Sequence, residues 1–421
     1  MSTTDRRDFL KTGAVAGAAA AAVSLIPTAV HAAGNDVIKV GLIGCGGRGS
    51  GAIHDSLEAD KSTQLFAVAD FFEDRAKGAV SNLQKKQADR VNVGERVFHG
   101  LNGYKQLLES GVDLVILATP PGFRPVHLEA AVKANKHIFC EKPVAVDGPG
   151  IKKCLELVEE SKKNGKAVVA GTQRRHQAGY IETIKQIKDG AIGDIVSARC
   201  AWNNNGIWFN ARNGSEADVA YQIRNWYHYL WLCGDHIVEQ HVHNLDVINW
   251  VMGAHPVKAV ALGGRGFGRK SGAPEEVGNI WDHFAVEFEY PNGVPLYSYC
   301  AHVPGIVSDV SETVYGSKGR SHVNRYSIGK KRVFEGTEIN PYVQEHIDLI
   351  QSIKAGKPLN ELQSVTESTM TAILGRTAAY SGQVVTWDQM LKSTNSTMPD
   401  GLTEQTALKV PPVPVPGKYK V

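Results

Sequence analysis

The stretch IKVGLIGCGGRG, residues 38–49, decides the fold of this chain. In it, an apolar, β-branched segment runs directly into Gly44, Gly46 and Gly49, which have the spacing G-x-G-x-x-G. A helix-compatible stretch follows, and a second apolar segment, QLFAVAD, ends at Asp70, roughly 20 residues after the last glycine. Such glycines let the backbone approach a pyrophosphate at a helix N-terminus, and the acidic residue binds the ribose hydroxyls. The stretch therefore predicts a dinucleotide-binding fold.

Strands and helices alternate beyond this turn. The segments VDLVILATP, HIFCEKP and KAVVAGT have the composition of buried strands, and helical patterns separate them. This alternation predicts an N-terminal Rossmann domain with a doubly wound parallel sheet, whose ligands bind at the carboxyl ends of the strands. The residues expected to bind the cofactor are Gly44, Gly46, Gly47, Arg48, Gly49, Asp70, Thr119, Pro120, Glu141 and Gln173.

The residues after Asp70 indicate which dinucleotide binds. Phe71 and Phe72 follow Asp70, so no adjacent basic side chain is available for a 2′-phosphate. NAD is therefore favoured over NADP. Arg48 and Arg75 leave NADP open as the alternative.

The second half of the chain has a different pattern. Segments such as VKAVALGGR, WDHFAVEFEY and GVPLYSYCAHV alternate apolar and polar residues and are separated by turns. They predict a C-terminal α+β domain with an open, mainly antiparallel sheet. The expected boundaries are residues 36–172 for the nucleotide domain, 173–390 for a domain that binds substrate and forms oligomers, and 391–421 for a Pro-rich tail, which is either a strap or a loose end.

The composition excludes several classes of protein. With 421 residues, of which 43% are apolar and 21% charged, the chain is too long for one core and too apolar for disorder. A net charge of +3 gives no field that would favour nucleic acid or an anionic membrane as the main partner. The six cysteines contain no C-x-x-C pair, so neither a zinc site nor a disulfide scaffold is predicted.

The N-terminus has the pattern of an export signal. Arg6 and Arg7 precede a short, mildly apolar run, and small residues surround Ala32 and Ala33, where cleavage is expected. The run is shorter than the roughly 20 residues that a bilayer requires. Residues 1–33 are therefore predicted to be a twin-arginine signal peptide, which places the protein in the periplasm or otherwise outside the cytoplasm; a retained, uncleaved anchor is the alternative.

The string HIFCEKPVA carries a more specific signal. Together with the glycine motif, the ATPP turn and GTQRRHQAGY, it resembles the Gfo/Idh/MocA family of oxidoreductases over most of the chain. The resemblance implies that Lys142 lies beside the nicotinamide and the substrate hydroxyl, that Pro143 can be cis, and that the protein forms a homo-oligomer. Independently, a lysine at a strand end that faces a cofactor cleft loses solvation, which lowers its pKa toward a value useful for proton transfer. A surface lysine that binds a phosphate is the alternative.

A histidine-rich segment matches a second family pattern, Asp-x-Gly-x-His-x-x-Asp. Here Glu239 replaces the first Asp and His241 replaces the Gly, while His243 and Asp246 remain. On one helix, positions 239, 243 and 246 share a face. The resemblance implies that His243 and Lys142 form the acid–base pair and that Glu239 orients or assists them. The first alternative is a metal site, but on one helix the side chains of His241 and Glu239 point in different directions, so no metal is expected. The second alternative is that the histidines are purely structural.

Aromatic residues cluster with amides before and after residue 220. Flat rings beside amide groups suit a sugar, whose C–H faces stack while its hydroxyls form hydrogen bonds. Core packing is the alternative for each ring. The residues expected to bind substrate are Arg174, His176, Trp202, Asn204, Trp226 and Tyr227.

These features predict an exported NAD(P)-dependent oxidoreductase. We expect hydride transfer between a sugar or polyol hydroxyl and a tightly bound nicotinamide cofactor, because an exported enzyme has no dependable supply of NAD. The first alternative is a redox-neutral, NAD-dependent glycoside hydrolase or lyase that acts through a transient 3-keto sugar. The second is a dinucleotide-binding protein without catalysis. The expected partner is a small carbohydrate.

Overall fold

A computed structural model describes residues 37–266 and 268–421 of the chain. The predicted signal peptide, residues 1–33, lies outside the described residues. All six cysteines are buried and have free thiols. No helix in the described part is both long and apolar enough to cross a membrane.

The first sheet is the predicted Rossmann sheet. Its six strands are parallel and have the order β3-β2-β1-β4-β5-β6. They are β1 (Ile38–Ile43), β2 (Thr63–Asp70), β3 (Val97–His99), β4 (Leu114–Leu117), β5 (His137–Cys140) and β6 (Val168–Ala170). Strand β4 is buried throughout, since helices cover both faces of the sheet. The doubly wound fold class is thus confirmed, and the carboxyl ends of the strands meet at one edge.

Five helices connect these strands. They are α1 (Gly47–Ala59), α2 (Glu73–Gln87), α3 (Gly103–Glu109), α4 (Arg124–Lys133) and α5 (Gly148–Lys163). Helix α1 begins inside the glycine motif, and Ile53 and Leu57 on its inner face join Val40 and Leu42 of β1 in one buried apolar cluster. This packing fixes the N-terminus of α1 at the end of β1.

The second sheet has nine strands in the described residues. Their order is β14-β13-β12-β11-β7-β10-β9-β8-β15. They are β7 (Ile195–Asn204), β8 (Lys258–Gly264), β9 (His283–Glu289), β10 (Pro295–His302), β11 (Asp309–Gly316), β12 (Gly319–His322), β13 (Ser327–Ile328), β14 (Lys331–Arg332) and β15 (Val385–Thr386). Strands β7 and β10 pair in parallel and the other neighbours pair antiparallel, which confirms the predicted open, mainly antiparallel sheet.

Nine α-helices follow the nucleotide domain in the described residues, and several of them pack on the second sheet. They are α6 (Ala178–Lys188), α7 (Asp218–Arg224), α8 (Leu230–Cys233), α9 (His236–Glu239), α10 (Val242–Met252), α11 (Pro274–Val277), α12 (Pro341–Lys354), α13 (Leu362–Ser381) and α14 (Trp387–Lys392). Helix α13 is buried along most of its length and packs against β8, β9, α10 and α5. It therefore joins the second sheet to the nucleotide domain.

Two C-terminal segments return to parts of the molecule that precede them in sequence. Helix α12 packs on α1, and its residue Leu349 enters the apolar core of the nucleotide domain. After this helix, the carbonyl of Leu359 accepts a hydrogen bond from the backbone N–H of Val168 in β6. The Pro-rich tail lies along the body as a strap, in which Leu408 and Val410 are buried. The first sheet ends at Ala170 and the second begins at Ile195, and later segments of the chain pack against both parts of the molecule.

Candidate active site

A cleft of about 860 Å³ opens at the carboxyl ends of the nucleotide-domain strands and extends to the second domain. Most of the residues predicted to form the site line it. These are Gly44, Gly46, Gly47, Arg48, Gly49, Asp70, Thr119, Pro120, Glu141, Lys142, Gln173, Trp226, Tyr227, Glu239 and His243. The cleft has the size that a dinucleotide with a small substrate requires.

The glycine turn has the shape of a pyrophosphate cradle. Gly44 has a φ of +98°, and a Cβ there would overlap the backbone of Ala118 and Thr119. A Cβ on Gly49 would overlap the carbonyl oxygen of Gly44, so this glycine allows α1 to pack against β1. A Cβ on Gly46 would meet only open space, and this residue precedes the N-terminus of α1, where backbone N–H groups attract an anion. The residues present therefore fit a dinucleotide.

Asp70 lies at the carboxyl end of β2, on the wall of the cleft. Its two carboxylate oxygens accept hydrogen bonds from the backbone N–H groups of Cys45 (2.7 Å) and Phe72 (2.9 Å). Burial raises the pKa of Asp70, while these bonds oppose that effect. The bonds fix the carboxylate beside the glycine turn, which is where a ribose diol would meet it.

Arg48 belongs to an ion-pair cluster below the glycine turn. Its Nε donates to Glu141 at 2.5 Å, and another guanidinium nitrogen lies 3.2 Å from Asp55. Its guanidinium also lies 4.9 Å from the ring centre of Tyr342. Since two carboxylates already neutralise this arginine, it is a poor partner for a 2′-phosphate. Arg75, which stacks 4.7 Å above the ring of Phe72, also lines the cleft.

Lys142 and Glu239 meet at the inner end of the cleft. The Lys142–Pro143 peptide bond is cis. The ammonium Nζ of Lys142 donates to the backbone carbonyl of Glu239 at 2.6 Å and lies 3.3 Å from its Oε1. An ammonium has three N–H donors, so a further one is available for a ligand. Glu239 Oε2 is buried and has no hydrogen-bond partner among the described residues, which gives the cleft an acceptor next to that donor.

His243 completes the group. Burial lowers the pKa of His243 well below its usual value, and the nearby positive charges of Lys142 and Arg174 lower it further. The ring is therefore neutral at pH 7. Behind it, the indole of Trp202 stacks at a ring-centre distance of 5.9 Å, which fixes the plane of the imidazole.

The helix expected to carry Glu239, His243 and Asp246 is broken. Glu239 ends α9 and His243 lies in the first turn of α10. Between them, the ring of His241 is buried and its Nε2 lies 2.6 Å from Ser298 Oγ on the second sheet. The break brings Glu239 and His243 to the cleft but directs His241 away from it, so these side chains do not converge on a metal.

Four residues expected to bind substrate do not line the cleft. Arg174 pairs with the buried Glu312 at 2.5 Å. Trp202 packs behind His243, and Asn204 lies at the end of β7, where its side chain accepts a bond from the next backbone N–H. His176 is buried and faces two carboxylates, Asp348 at 2.6 Å and Glu361 at 3.2 Å. Asp246 likewise lies outside the cleft, because it accepts hydrogen bonds from Arg175.

The environment of His176 predicts a pH-dependent contribution to stability. Burial alone would lower its pKa, but the hydrogen bonds to Asp348 and Glu361 raise the pKa to about 10. Since the folded-state pKa exceeds the unfolded value of about 6.5, the stabilisation is complete below that pH and is lost as the pH rises toward about 10. We expect His176→Gln to lower the free energy of unfolding by roughly 2 kcal/mol near pH 6, and by much less at pH 10.

Denaturant unfolding of wild type, His176→Gln and His99→Gln at both pH values tests this expectation. His99 is exposed and serves as the matched control. A deficit in His176→Gln that is the same at both pH values would show that the imidazolium form contributes nothing.

The cleft also contains residues that the sequence did not single out. On the nucleotide side these are Tyr104, Phe123, Arg124 and His127, and on the second domain Asn210, Arg224 and Gln240. Arg124 is buried and donates to the backbone carbonyls of Leu117 and Thr119, which fixes the end of β4. The segment PPGFRPVH, residues 120–127, contains three of these side chains, and its place after a predicted strand was the available signal.

Comparison with protein families matches most of the described chain. Residues 38–172 match the model GFO_IDH_MocA, described as oxidoreductase family, NAD-binding Rossmann fold. Residues 184–373 match GFO_IDH_MocA_C, the C-terminal alpha/beta domain of the same oxidoreductase family. Residues 3–23 match the signal sequence of the twin-arginine translocation pathway. The predicted NAD-binding domain and the predicted export signal are thereby confirmed.

Individual relatives agree with this result. An inositol 2-dehydrogenase of Klebsiella pneumoniae is 29% identical over 219 residues, which cover 51% of this chain and 54% of the relative. A 2,7-anhydro-N-acetylneuraminate hydratase of Escherichia coli is 30% identical over 182 residues, which cover 43% of this chain and 44% of the relative. The chain thus spans about half the length of the curated relatives it matches.

A solved structure extends the likeness in fold over most of the chain. The scyllo-inositol dehydrogenase of Lactobacillus casei, with bound NAD(H) and scyllo-inositol, superposes with a TM-score of 0.63. It is 18% identical, and the match covers 84% of this chain and 99% of that chain. At this level of identity the match shows the shared fold.

Proposed function

The chain belongs to the Gfo/Idh/MocA oxidoreductase family, and on that premise we propose that it is an exported, NAD-dependent enzyme acting on a hydroxyl group of a sugar or polyol. The observation that carries this proposal is the meeting of Lys142 and Glu239 in the cleft that contains the glycine turn. A proton donor and a free carboxylate oxygen lie side by side there. An alcohol that loses or gains a hydride needs both kinds of group.

The roles of the residues follow from their contacts. Bound NAD supplies the two-electron acceptor or donor. Lys142 donates a hydrogen bond to the reacting oxygen and exchanges its proton, and Glu239 Oε2 accepts a hydrogen bond from a neighbouring hydroxyl. The neutral imidazole of His243 provides a further donor or acceptor at the same centre. The protein thereby orients the alcohol and moves its proton.

The remaining lining suits an uncharged polyhydroxylated ring. Trp226 and Tyr227 present aromatic surface, while Asn210 and Gln240 present amide groups. Of the guanidinium groups whose charge acts on His243, that of Arg174 is neutralised by Glu312 and that of Arg48 by Glu141 and Asp55. A neutral sugar or polyol therefore fits this end of the cleft better than a carboxylated one.

A redox-neutral reaction is the second candidate. The export signal moves the protein out of the compartment that supplies NAD, and one relative is a hydratase rather than a dehydrogenase. In this reaction a sugar hydroxyl is oxidised to a ketone, which acidifies the neighbouring C–H. Loss of that proton expels the substituent as an alcohol and leaves a double bond. Water adds to the double bond, and the ketone is reduced again on the same protein. Lys142 and Glu239 would perform the same proton transfers.

One experiment separates the two reactions. Purified protein is incubated, without added NAD, with free sugars, inositols and p-nitrophenyl glycosides. The dehydrogenase proposal predicts that, without a second substrate, the amount of oxidised product does not exceed the amount of bound cofactor. The redox-neutral proposal predicts continuous release of the aglycone. Absence of any dinucleotide in the denatured protein by mass spectrometry would contradict both.

The C-terminal strap supports a tightly bound cofactor. Leu408 and Val410 join an apolar cluster that includes Phe71 and Phe123, both of which line the cleft. In addition, the carboxylate of Glu404 accepts a hydrogen bond from the backbone N–H of Leu101, another cleft residue, at 3.2 Å. The strap thus braces the wall around the nucleotide.

Loss of the strap is expected to accelerate release of the cofactor. We expect a variant that ends at residue 397 to lose dinucleotide during gel filtration that the full chain retains, and Glu404→Ala to show the same change to a smaller degree. The dinucleotide content is measured by absorbance after denaturation. Equal retention by all three proteins would show that the strap does not contribute.

We also propose that the protein is a homo-oligomer that pairs through the outer face of the second sheet. Leu262 on β8 is 78% exposed, and Tyr299 lies in the same row of that face, two strands away. Val260 and Tyr297, the next row, are exposed as well. An uncovered apolar face of this kind is typical of an interface between subunits.

Charges on this face are expected to separate the subunits. The double variant Leu262→Glu, Tyr299→Glu places carboxylates opposite their symmetry mates in the proposed interface. Light scattering should therefore give a smaller particle mass than for wild type, while the circular dichroism spectrum stays unchanged. A wild-type protein that is already monomeric would refute the proposed interface.

A further inference from the structure

We infer that the cleft has a second subsite, built on Trp208, for a neutral ring linked to the reacting sugar, so that the substrate is a two-ring glycoside rather than a free monosaccharide. The inference rests on the proposed function, since it concerns the outer end of the same cleft. It starts from one unusual residue. Trp208 lines the cleft and yet is 47% exposed, whereas a side chain of this size is normally covered.

The exposed indole belongs to a fixed loop. The backbone carbonyl of Trp208 lies 2.6 Å from His228 Nε2, which is buried. Two residues later, the backbone of Asn210 forms hydrogen bonds in both directions with the side chain of the fully buried Asn225, at 2.8 and 3.0 Å. The ring of Phe209, between them, contacts His228 edge-on. These contacts hold Trp208 in its exposed position before any ligand binds.

Trp208 is the outermost member of a row of aromatic rings. Tyr227 is buried near Glu239, which is among the charges that act on it. The ring of Trp226 follows at 5.2 Å and that of Trp208 at 6.2 Å beyond it. Exposure increases along the row from the catalytic end to the mouth of the cleft. Since two ring-to-ring steps of 5.2 and 6.2 Å lead from Tyr227 to Trp208, we expect a ring that stacks on Trp208 to be a second ring rather than the one beside Lys142 and Glu239.

The group that Trp208 offers to a ligand is uncharged. Arg224, which also lines the cleft, forms a 2.7 Å ion pair with Glu216. The ammonium of Lys270 lies over the ring of Phe209, 4.5 Å from its centre. The surface offered at Trp208 itself is an indole face. Such a face binds the C–H side of a pyranose or an aryl ring.

The test compares one-ring and two-ring ligands. Wild type, Trp208→Ala and Trp208→Phe are assayed with free glucose, galactose and mannose, with their p-nitrophenyl glycosides, and with cellobiose and lactose. We expect wild type to prefer the two-ring compounds, and Trp208→Ala to lower the ratio of kcat/KM for two-ring over one-ring compounds about ten-fold. Trp208→Phe should retain most of that ratio, because the smaller ring still stacks. Discrimination between the aryl glycosides and the disaccharides shows which kind of ring the subsite prefers.

The outcomes distinguish this inference from the proposed function. An unchanged ratio in Trp208→Ala, at wild-type dinucleotide content and thermal stability, overturns the subsite. If wild type turns over none of these compounds, the proposed function fails, and calorimetric titration with the same ligands tests the subsite. The subsite is supported if two-ring ligands bind more tightly than one-ring ligands and if this difference is lost in Trp208→Ala. Equal binding of both kinds of ligand to wild type overturns the subsite.

Discussion

Replacement of Lys142 by methionine is expected to lower kcat/KM by about 100- to 10,000-fold while the protein keeps its dinucleotide. The ammonium group donates to Glu239 and, with no other described acceptor, keeps a further N–H for an oxygen in the cleft. Methionine has a similar length and cannot donate or exchange a proton. Methionine fills a similar volume, but the side chain is largely buried, with 9% exposure, and its loss leaves the carboxylate of Glu239 without a cation, so stability is measured beside turnover.

The control is Lys152→Met on the exposed face of α5, which should behave as wild type. Dinucleotide content after denaturation and the thermal midpoint are measured for both variants. Glu239→Gln should also reduce turnover, and the double variant should be no slower than Lys142→Met alone, because the two groups act on one alcohol as a unit. Wild-type turnover by Lys142→Met would remove the lysine from the mechanism.

Replacement of Gly46 by alanine is expected to weaken binding of the dinucleotide about 100-fold without unfolding the protein. Its φ of −70° is accessible to alanine, and an added Cβ would have no described atom within 4 Å. The free space is the place where the backbone must approach a pyrophosphate, so the methyl group obstructs the ligand rather than the fold. Gly319→Ala, in the second sheet and also with open space around it, is the control and should bind as wild type does.

Replacement of Gly49 is expected to act on the fold instead. The Cβ of an alanine there would overlap the carbonyl oxygen of Gly44, a backbone atom that cannot rotate away. We expect a loss of about 1–3 kcal/mol in the free energy of unfolding, which chemical denaturation measures. If Gly46→Ala and Gly49→Ala both leave affinity and stability unchanged, the glycine turn does not serve as a nucleotide site.

The nucleotide half of the site could be predicted because its signals are local. A strand, a glycine turn and a helix follow one another within residues 38–59, and the ends of parallel strands necessarily meet at one edge. Residues at those ends, Asp70, Glu141 and Lys142 among them, were therefore expected in one cleft without knowledge of side-chain contacts.

The substrate half could not be predicted to the same extent, because long-range partners decide it. Arg174 follows a strand of the nucleotide sheet, as Gln173 does, but its partner Glu312 lies 138 residues away in the second sheet and draws it out of the cleft. The break between α9 and α10 likewise depends on the contact of His241 with Ser298. Helical periodicity places 239 and 243 on one face, and the broken helix still brings both to the cleft by a different geometry.

Transfer of deuterium is the most direct test of a nicotinamide cofactor that works beside Lys142. The purified protein is incubated with carbon-deuterated sugars and glycosides, and the dinucleotide released by denaturation is weighed by mass spectrometry. In either net reaction, we expect the reduced dinucleotide that denaturation traps during wild-type turnover to carry one deuterium, and the dinucleotide of Lys142→Met to remain unlabelled. When the redox-neutral reaction is complete, the deuteride is back on the sugar. A wild-type protein that converts the sugar while the reduced dinucleotide trapped during turnover stays unlabelled, or that contains no dinucleotide, would contradict the account.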